Sequence, residues 1–350
     1  MNKMYVERAY GRVNLIGEHT DYNGGWVLPT SIPQFTEVTL KKREDKKVII
    51  HSSGSREHSF ELGKETHTGQ WVDYLQGATK LLRESGQNFS GFEASIHSTM
   101  PEGSGLSSSA ALEISFMKVI CTAFQLKLSP VAMARLGQRI ENEFVGARVG
   151  IMDQMACSLA TIGEALFLDT YNLTYENIKL PLDKMDLLII NSGISHRLSA
   201  GGGYNERRAQ CEQACKILGI KHLRDITPEE LQKKELPELL MKRARHVVTE
   251  NARVHQAVSA IKEGNLPRLG ELFYASHKSM RDDYEVSIPE IDLLVELCSQ
   301  DKNTFGARLT GGGFGGSIVA ITKKGEAARI GHAVVNEYQK RTGEKGTILA

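Results

Sequence analysis

At 350 residues, with 41% hydrophobic and 24% charged side chains, the chain is long enough for about two domains and has the composition of a soluble globular protein. Its 43 Lys and Arg against 42 Asp and Glu leave a formal charge of +1, so no basic excess invites nucleic acid or an anionic membrane, and a small-molecule ligand is favoured. No basic region followed by an apolar stretch opens the chain and no apolar run is long enough to span a bilayer, so a cytoplasmic location is expected. The 5 cysteines (Cys121, Cys157, Cys211, Cys215, Cys298) are odd in number and irregular in spacing, which argues against a disulfide framework. Cys211 and Cys215 lie one helical turn apart, but without two further ligands of similar spacing they read as reduced thiols.

Val6 to Val13 predicts a short strand leading into Gly11-Arg12-Val13-Asn14-Leu15-Ile16-Gly17-Glu18-His19-Thr20-Asp21-Tyr22-Asn23-Gly24-Gly25. Glu18, His19 and Asp21 are close enough in sequence to project into one small volume. Carboxylates and imidazole form directional bonds with hydroxyls, so this cluster fits a polyhydroxylated ligand. A polar turn built on Asn23-Gly24 and a metal site of Glu, His and Asp are the alternatives. Val38 to Leu40 and Val48 to Ile50 predict strands, with the charged run Lys41 to Lys47 as a solvated hairpin between them. Ser52 follows as a turn residue. Gln70 to Tyr74 opens a helix reaching about Leu82, in which Trp71 has a plain reading as a core anchor.

Gly91 to Thr99 alternates apolar and polar residues, predicting a strand, and apolar residues at helical spacing run from Leu112 to Phe124. Between them lies Pro101-Glu102-Gly103-Ser104-Gly105-Leu106-Ser107-Ser108-Ser109-Ala110-Ala111. A glycine- and serine-rich loop entering a helix N-terminus suits an anion, because the unpaired first-turn N–H groups and the helix dipole both face it. Gly103 and Gly105 let the backbone approach, and Ser107, Ser108 and Ser109 offer hydroxyls to the anion or its metal. A flexible loop with a serine-capped helix is the alternative, but the serines continue into the helix, where they are mediocre formers. No Walker A lysine is present, so the loop needs the helix end and a metal instead.

A helix over 130 to 145 carries Glu141 and Glu143, which point to different faces. Such glutamates are usually solvated, yet magnesium on nucleotide phosphates takes one carboxylate and a hydroxyl. Asp153 sits among Ile151, Met152, Met155 and Ala156, so it needs a partner unless it caps a helix over 154 to 160. Leu187 to Ile190 predicts a buried strand, Ser195 to Gly203 a loose segment, and Tyr204 the start of a helix. Thr227 to Glu250 is charged and helical, opening on Thr-Pro-Glu-Glu; its Arg243, Arg245 and His246, with Arg253 beyond, are unremarkable for a solvent-facing helix. Helices over about 251 to 277 and Ile291 to Ser299, a strand Gly306 to Leu309, the loop Gly311 to Gly316, a strand from Ser317 and a helix Glu326 to Arg341 complete the chain.

The segment Gly11 to Gly25 resembles the signature of galactokinases. Pro101 to Ala110 resembles the nucleotide loop of the wider family of galactokinase, homoserine kinase, mevalonate kinase and phosphomevalonate kinase (GHMP), and Leu309 to Gly316 resembles its third motif. The three occur in the family's order across nearly the whole chain. The resemblance implies a two-domain α+β fold: residues 1–180 as a mixed α+β nucleotide- and sugar-binding domain, 181–350 as a ferredoxin-like domain, and the active site in the cleft between. The last strand or helix is expected to pack back on the first domain. It implies ATP-dependent phosphorylation of the anomeric hydroxyl of galactose, giving galactose 1-phosphate and ADP, with Mg2+, as the first committed step of galactose catabolism. Asp153 would accept the hydroxyl proton with Arg12 as its partner, and Glu18, His19, Thr20, Asp21, Gly150, Asp153 and Tyr204 would hold the sugar. Ser52, Trp71, Gly103, Ser104, Gly105, Leu106, Ser107, Ser108 and Ser109 would hold the nucleotide, and Ser109 and Glu141 the metal. A monomer is expected, and Gly201 to Gly203 fall outside the family pattern, implying a more mobile loop before Tyr204. Two other readings stand beside this one. Non-catalytic galactose- and ATP-sensing relatives alter the serine–alanine pair that is intact here at Ser108-Ser109-Ala110. An N-acetylgalactosamine kinase would need extra room beside the sugar C2.

Overall fold

The computed structural model describes residues 3–52, 57–101, 103–194 and 203–349. Glu102 and residues 195 to 202 of the loose segment expected over 195 to 203 lie outside the described residues. In chain order the elements are β1 (Met4–Asn14), β2 (Trp26–Val27), β3 (Pro29–Lys42), β4 (Lys47–Ser52), β5 (His58–Glu61), α1 (Asp73–Glu84), β6 (Phe92–Ser98), α2 (Ser108–Phe124), α3 (Pro130–Arg139) and α4 (Met152–Leu159). There follow β7 (Glu164–Asp169), β8 (Thr174–Lys179), β9 (Met185–Asn191), α5 (Gly203–Leu218), α6 (Pro228–Leu231) and α7 (Glu238–Glu263). The chain ends with α8 (Leu266–Asp282), α9 (Pro289–Ser299), β10 (Thr304–Thr310), β11 (Ser317–Lys323), α10 (Ala327–Thr342) and β12 (Thr347–Ile348). By compactness it divides into one unit of Met1–Arg12, Ser31–Glu102 and Ser107–Ala160, and a second of Val13–Thr30, Gly103–Leu106 and Thr161–Ala350. The last change of unit along the chain falls after Ala160, and the Glu18 to Asp21 cluster belongs with the second unit.

In the first unit β6 pairs antiparallel with β3, from Thr36↔Ser98 to Lys42↔Phe92, and parallel with β4, from Val48↔Phe92 to Ser52↔Ile96. β6 thus lies between β3 and β4, which corrects the hairpin expected over Lys41 to Lys47. That run folds over Gly91 instead: Arg43 N donates to Gly91 O at 2.8 Å and Gly91 N to Asp45 O at 2.6 Å. A Cβ on Gly91 would stand 2.2 Å from the Lys47 carbonyl, so only glycine fits there. Helix α2 is apolar nearly all round (Ala110, Ala111, Ile114, Phe116, Met117, Val119 and Ile120 are buried), as a helix in the middle of a core must be. It packs with α1, α3 and α4, and Phe116 meets Phe92 edge-on at 5.7 Å.

In the second unit β9 pairs antiparallel with β11, from Ser317↔Asn191 to Lys323↔Met185, while β10 flanks β11 and β12 flanks β9. Helices α8 and α9 pack on β10, and α10 on α9 and β9, so the last helix and strand complete this unit's own sheet. β7 pairs with β2, with β8 and with Thr30 at the start of β3. The expected helix boundary near residue 250 is corrected: α7 runs unbroken to Glu263, where Gly264 at φ 68° closes it and Asn265 caps α8 by accepting from Arg268 N. Nor does α7 face solvent at Arg243 and His246, which are 1% and 0% exposed. Arg243 spends its guanidinium on Gln210, the Asp283 carbonyl and Glu285.

Candidate functional site

The residues singled out in the sequence fall into two sets, one in each unit. In the first, the N-terminus of α2 is shaped by an unusual residue. Ser107 sits at φ 63°, a left-handed conformation that costs a non-glycine residue energy, and its side chain does not cap the helix. Its Oγ is buried without a hydrogen-bond partner. The first turn of a 17-residue helix therefore keeps donors that its own cap does not use. Gly103 and Gly105, at φ 68° and 74°, precede it in the chain and belong to the second unit, where the Ser104 carbonyl accepts from Ser317 Oγ at 2.7 Å.

In the first turn of α2, Ser109 Oγ donates to Glu141 Oε1 at 3.0 Å, and Gln154 Nε2 donates to the same oxygen at 3.1 Å. Glu141 lies in a π-helical turn, Ile140–Val145, that follows α3 and turns this carboxylate inward, while Glu143 stays outside and pairs with Arg139 at 2.7 Å. Burial, reinforced by the nearby charge of Asp153, pushes Glu141 up to about 7. Glu113, which the sequence reading passed over, is fully buried, and both its oxygens lack a partner. Burial first, then the charge of Glu141, holds it well above the ordinary carboxyl range.

Asp153 stands in the first turn of α4, whose N-cap is Ile151, so the capping alternative is corrected. Its Oδ1 accepts from Arg12 Nε at 2.9 Å and Nη2 at 2.6 Å, which leaves Oδ2 outside the pair. The Arg12 side chain is 5% exposed and that of Asp153 31%. Gly150 is buried just before α4. Trp71 meets His58 edge-on at 5.4 Å and Ser52 closes β4, and neither is drawn into the Asp153 and Glu141 cluster among the described residues.

In the second unit Glu18 is 1% exposed and its carboxylate is committed to its own chain. Oε2 accepts from Asn14 Nδ2 at 2.9 Å and from Arg308 Nη2; Oε1 accepts from Thr310 Oγ1 at 3.2 Å and Gly311 N at 3.0 Å. Burial raises its pKa, with Arg308 pulling the other way. Arg308, fully buried, also donates to the carbonyls of Asn14 at 3.0 Å and Leu15 at 2.9 Å. Glu250 accepts from Gly17 N at 2.9 Å and from Arg253 at 2.7 Å; burial opposes its charge, but Arg253 and Arg308 outweigh burial and hold it at about 2. Thr20 Oγ1 lies 2.8 Å from the Gly17 carbonyl and 2.7 Å from that of Trp26, so this hydroxyl too serves the backbone.

His19 is different. At φ 64° and 5% exposed, its ring lies among Tyr284, Tyr204 and Tyr22, with centroids at 4.7, 5.6 and 5.9 Å. Its Nδ1 bonds Tyr22 Oη at 2.9 Å, while Nε2 is buried without a partner. Burial first, then the neighbouring His246, holds the ring well below the usual histidine range, so it is neutral at neutral pH. Asp21 opens a short turn closed by Gly24 at φ 67°, and Tyr204 stands at the start of α5. Arg308, Glu250, Tyr22 and Tyr284 were not found from sequence. Arg308 stands directly before the Leu309 to Gly316 motif, which was the one available signal.

Comparison with known proteins gives three matching family models. The galactokinase galactose-binding signature matches residues 2–42, the GHMP kinases N terminal domain 73–161, and the GHMP kinases C terminal model 257–340. A galactokinase from Thermotoga neapolitana is 40% identical over 334 residues, covering 95% of this chain and 94% of the relative. One from Thermotoga maritima is 39% identical over 336 residues, covering 96% and 94%. The crystal structure of Lactococcus lactis galactokinase complexed with galactose superimposes with a TM-score of 0.96 at 36% identity, covering 99% of this chain and 92% of that one. Methanococcus jannaschii mevalonate kinase, at a TM-score of 0.71 and 18% identity over 99% of this chain and 98% of that one, shares the fold.

Proposed function

Because the chain belongs to the galactokinases within the GHMP kinase family, we propose that it transfers the γ-phosphoryl group of ATP to the anomeric hydroxyl of galactose, giving galactose 1-phosphate and ADP. The observation that carries this reading is the Arg12–Asp153 pair, whose carboxylate acts electrostatically on Glu141 and so lies near the Ser109 end of α2. Asp153 receives the proton of the attacking hydroxyl. Arg12 fixes the carboxylate by its two bonds to Oδ1 and sets positive charge beside the phosphoryl group as charge accumulates there. The α2 N-terminus, with the backbone of Gly103 to Leu106 and the hydroxyls of Ser107 and Ser108, holds the phosphates; Ser52 and Trp71 serve the remainder of the nucleotide.

His19 through Nε2, with Asp21, Gly150 and Tyr204, holds the sugar and aligns its reacting oxygen. Glu18 and Thr20 act at one remove, by fixing the segment that carries His19 and Asp21. Ser109 and Glu141 fit Mg2+. They offer a hydroxyl and a carboxylate oxygen 3.0 Å apart, and burial, with the charge of Asp153, raises Glu141 to about 7, so a cation there would relieve a buried carboxylate; the ion would take its other oxygens from phosphates and water. When bound, magnesium supplies neutralising charge to the β- and γ-phosphates. A monomeric state, a cytoplasmic location and a place as the first committed step of galactose catabolism are proposed with this activity. Among the described residues no helix is long and apolar enough to cross a membrane.

The test is the identity of the product. Phosphorus NMR of the reaction with galactose, ATP and magnesium should show the new phosphate coupled to the anomeric proton. Coupling to the C6 methylene protons instead would overturn the assignment of the attacking hydroxyl.

A further inference from the structure

The turn that carries Asp21 is held partly from within and partly by residues far along the chain of the second unit. Within it, Asn23 N and Gly25 N donate to the Thr20 carbonyl at 3.0 and 2.8 Å. From outside, Thr170 at the end of β7 donates its N–H to the Gly25 carbonyl at 3.0 Å, and its Oγ1 lies 3.0 Å from the Asp21 carbonyl and 2.8 Å from that of Gly25. The Gly24 carbonyl accepts from Arg224 Nη1 at 2.6 Å. Backbone carbonyls that accept from fixed partners leave the turn little freedom to change shape.

Arg224 does more than bond one carbonyl. Its Nη1 donates to Asp169 Oδ1 at 2.5 Å and its Nη2 to Oδ2 at 3.0 Å, and its guanidinium lies over the Trp26 ring, 3.7 Å from the centre. Trp26 in turn meets the His255 ring of α7 at 4.6 Å. Asp169 is a fixed anchor, because it also accepts from Tyr171 N at 2.9 Å, Asn172 N at 3.2 Å and Asn172 Nδ2 at 2.9 Å. Burial disfavours its charge, but the bonds from Arg224, Asn172 and Tyr171 outweigh burial and hold it at about 2, so the pair is ionised at neutral pH. Arg224 itself stands on a single turn, Leu223–Asp225, closed by His222 N donating to Asp225 Oδ2 at 2.9 Å and Asp225 N to the His222 carbonyl at 3.0 Å. One planar group thus joins a carbonyl, a carboxylate and an aromatic face. A lysine ammonium, a point charge without a fork or a flat face, cannot serve all three together.

We propose that Arg224, anchored on Asp169 and stacked on Trp26, acts with Thr170 as a clamp that locks the Asp21 to Trp26 turn in its binding shape before the sugar arrives. Arg224 and Thr170 are positioning residues; they act on the ligand through Asp21. The consequence for sugar binding rests on the reading of Asp21 as a sugar ligand, whereas the locking of the turn belongs to the ligand-free chain.

The experiment joins amide hydrogen exchange, read by mass spectrometry on the full, ligand-free protein, with steady-state kinetics on the same samples. Arg224→Lys keeps the charge and loses the fork; exchange over residues 20 to 26 should quicken by about tenfold, while the β9 and β11 strands exchange as in the wild type. Its galactose KM should rise by about tenfold, with kcat and the KM for ATP within about twofold of wild type. Thr170→Val keeps the shape and loses the hydroxyl, and should move the same two readings by about threefold; it decides the matter alone if Arg224→Lys does not fold. Exchange unchanged over residues 20 to 26, or raised throughout the second unit as a role in stability alone would raise it, would overturn the clamp. If exchange quickens over that segment only and the galactose KM stays where it was, the clamp stands and the reading of Asp21 as a sugar ligand falls.

Discussion

Asp153 and Glu141 are neighbouring carboxylates with opposite surroundings. Asp153 is part-exposed and bound twice by a guanidinium, whereas Glu141 is buried and bonded to neutral donors. Two carboxylates so divided are suited to different roles, one for the proton and one for the cation. Asp153→Asn keeps the shape and removes the base; kcat should fall by about 10²–10⁴ while calorimetry shows galactose binding nearly unchanged. A near wild-type kcat would remove the base assignment. Glu141 makes a separate prediction about pH. It titrates at 4.5 when unfolded and at about 7 when folded, so between these values the folded state binds more protons. Its contribution to stability is whole below the unfolded value and is lost as pH rises toward the folded one, by up to about 3 kcal/mol. Without metal or nucleotide, Glu141→Gln should melt above wild type at about pH 8 and close to it at about pH 4, and added magnesium with ADP should raise the wild type more than the variant at the higher pH. Equal melting differences at both pH values would contradict the buried-carboxylate account.

At the scale of elements, the sequence conveyed the strands and helices around the loops well. Alternation placed β6, helical spacing placed α2, and Thr227 to Glu230 form the capping box expected from Thr-Pro-Glu-Glu. Pairing was not legible, because alternation shows which face of a strand is buried but not which strand lies beside it; hence the hairpin assigned to Lys41 to Lys47, where β6 intervenes. The close approach of α8 to β10 was equally hidden. Gly270 and Gly306 face each other across that contact, and a Cβ on Gly270 would lie 1.9 Å from the Phe305 carbonyl. A methyl group there must move the helix off the sheet, so Gly270→Ala should cost more than about 3 kcal/mol in urea unfolding, although alanine is the better helix former. Unchanged stability would show that α8 can shift freely on β10.

Across the whole molecule, the first and third motifs read in the sequence are not separate sites. Glu18 of the first is bonded to Gly311 of the third and to Arg308 directly before it, within one unit, by contacts about three hundred residues apart in the chain. Local spacing carries no trace of such a pairing, which is why the internal bonds of Glu18 and Thr20 were not legible and the buried charges of α7 looked like surface. By contrast, His19 Nε2 has no hydrogen-bond partner and Asp153 Oδ2 lies outside the bonds to Arg12. The central claim is a kinase for galactose, and the most direct measurement is ADP formation from ATP and magnesium with galactose, N-acetylgalactosamine, glucose, mevalonate and homoserine side by side. Strong turnover with galactose and little with the others is the predicted result. No turnover with any of them, in a protein that still binds galactose, would contradict the account and leave a sensor built on the same site.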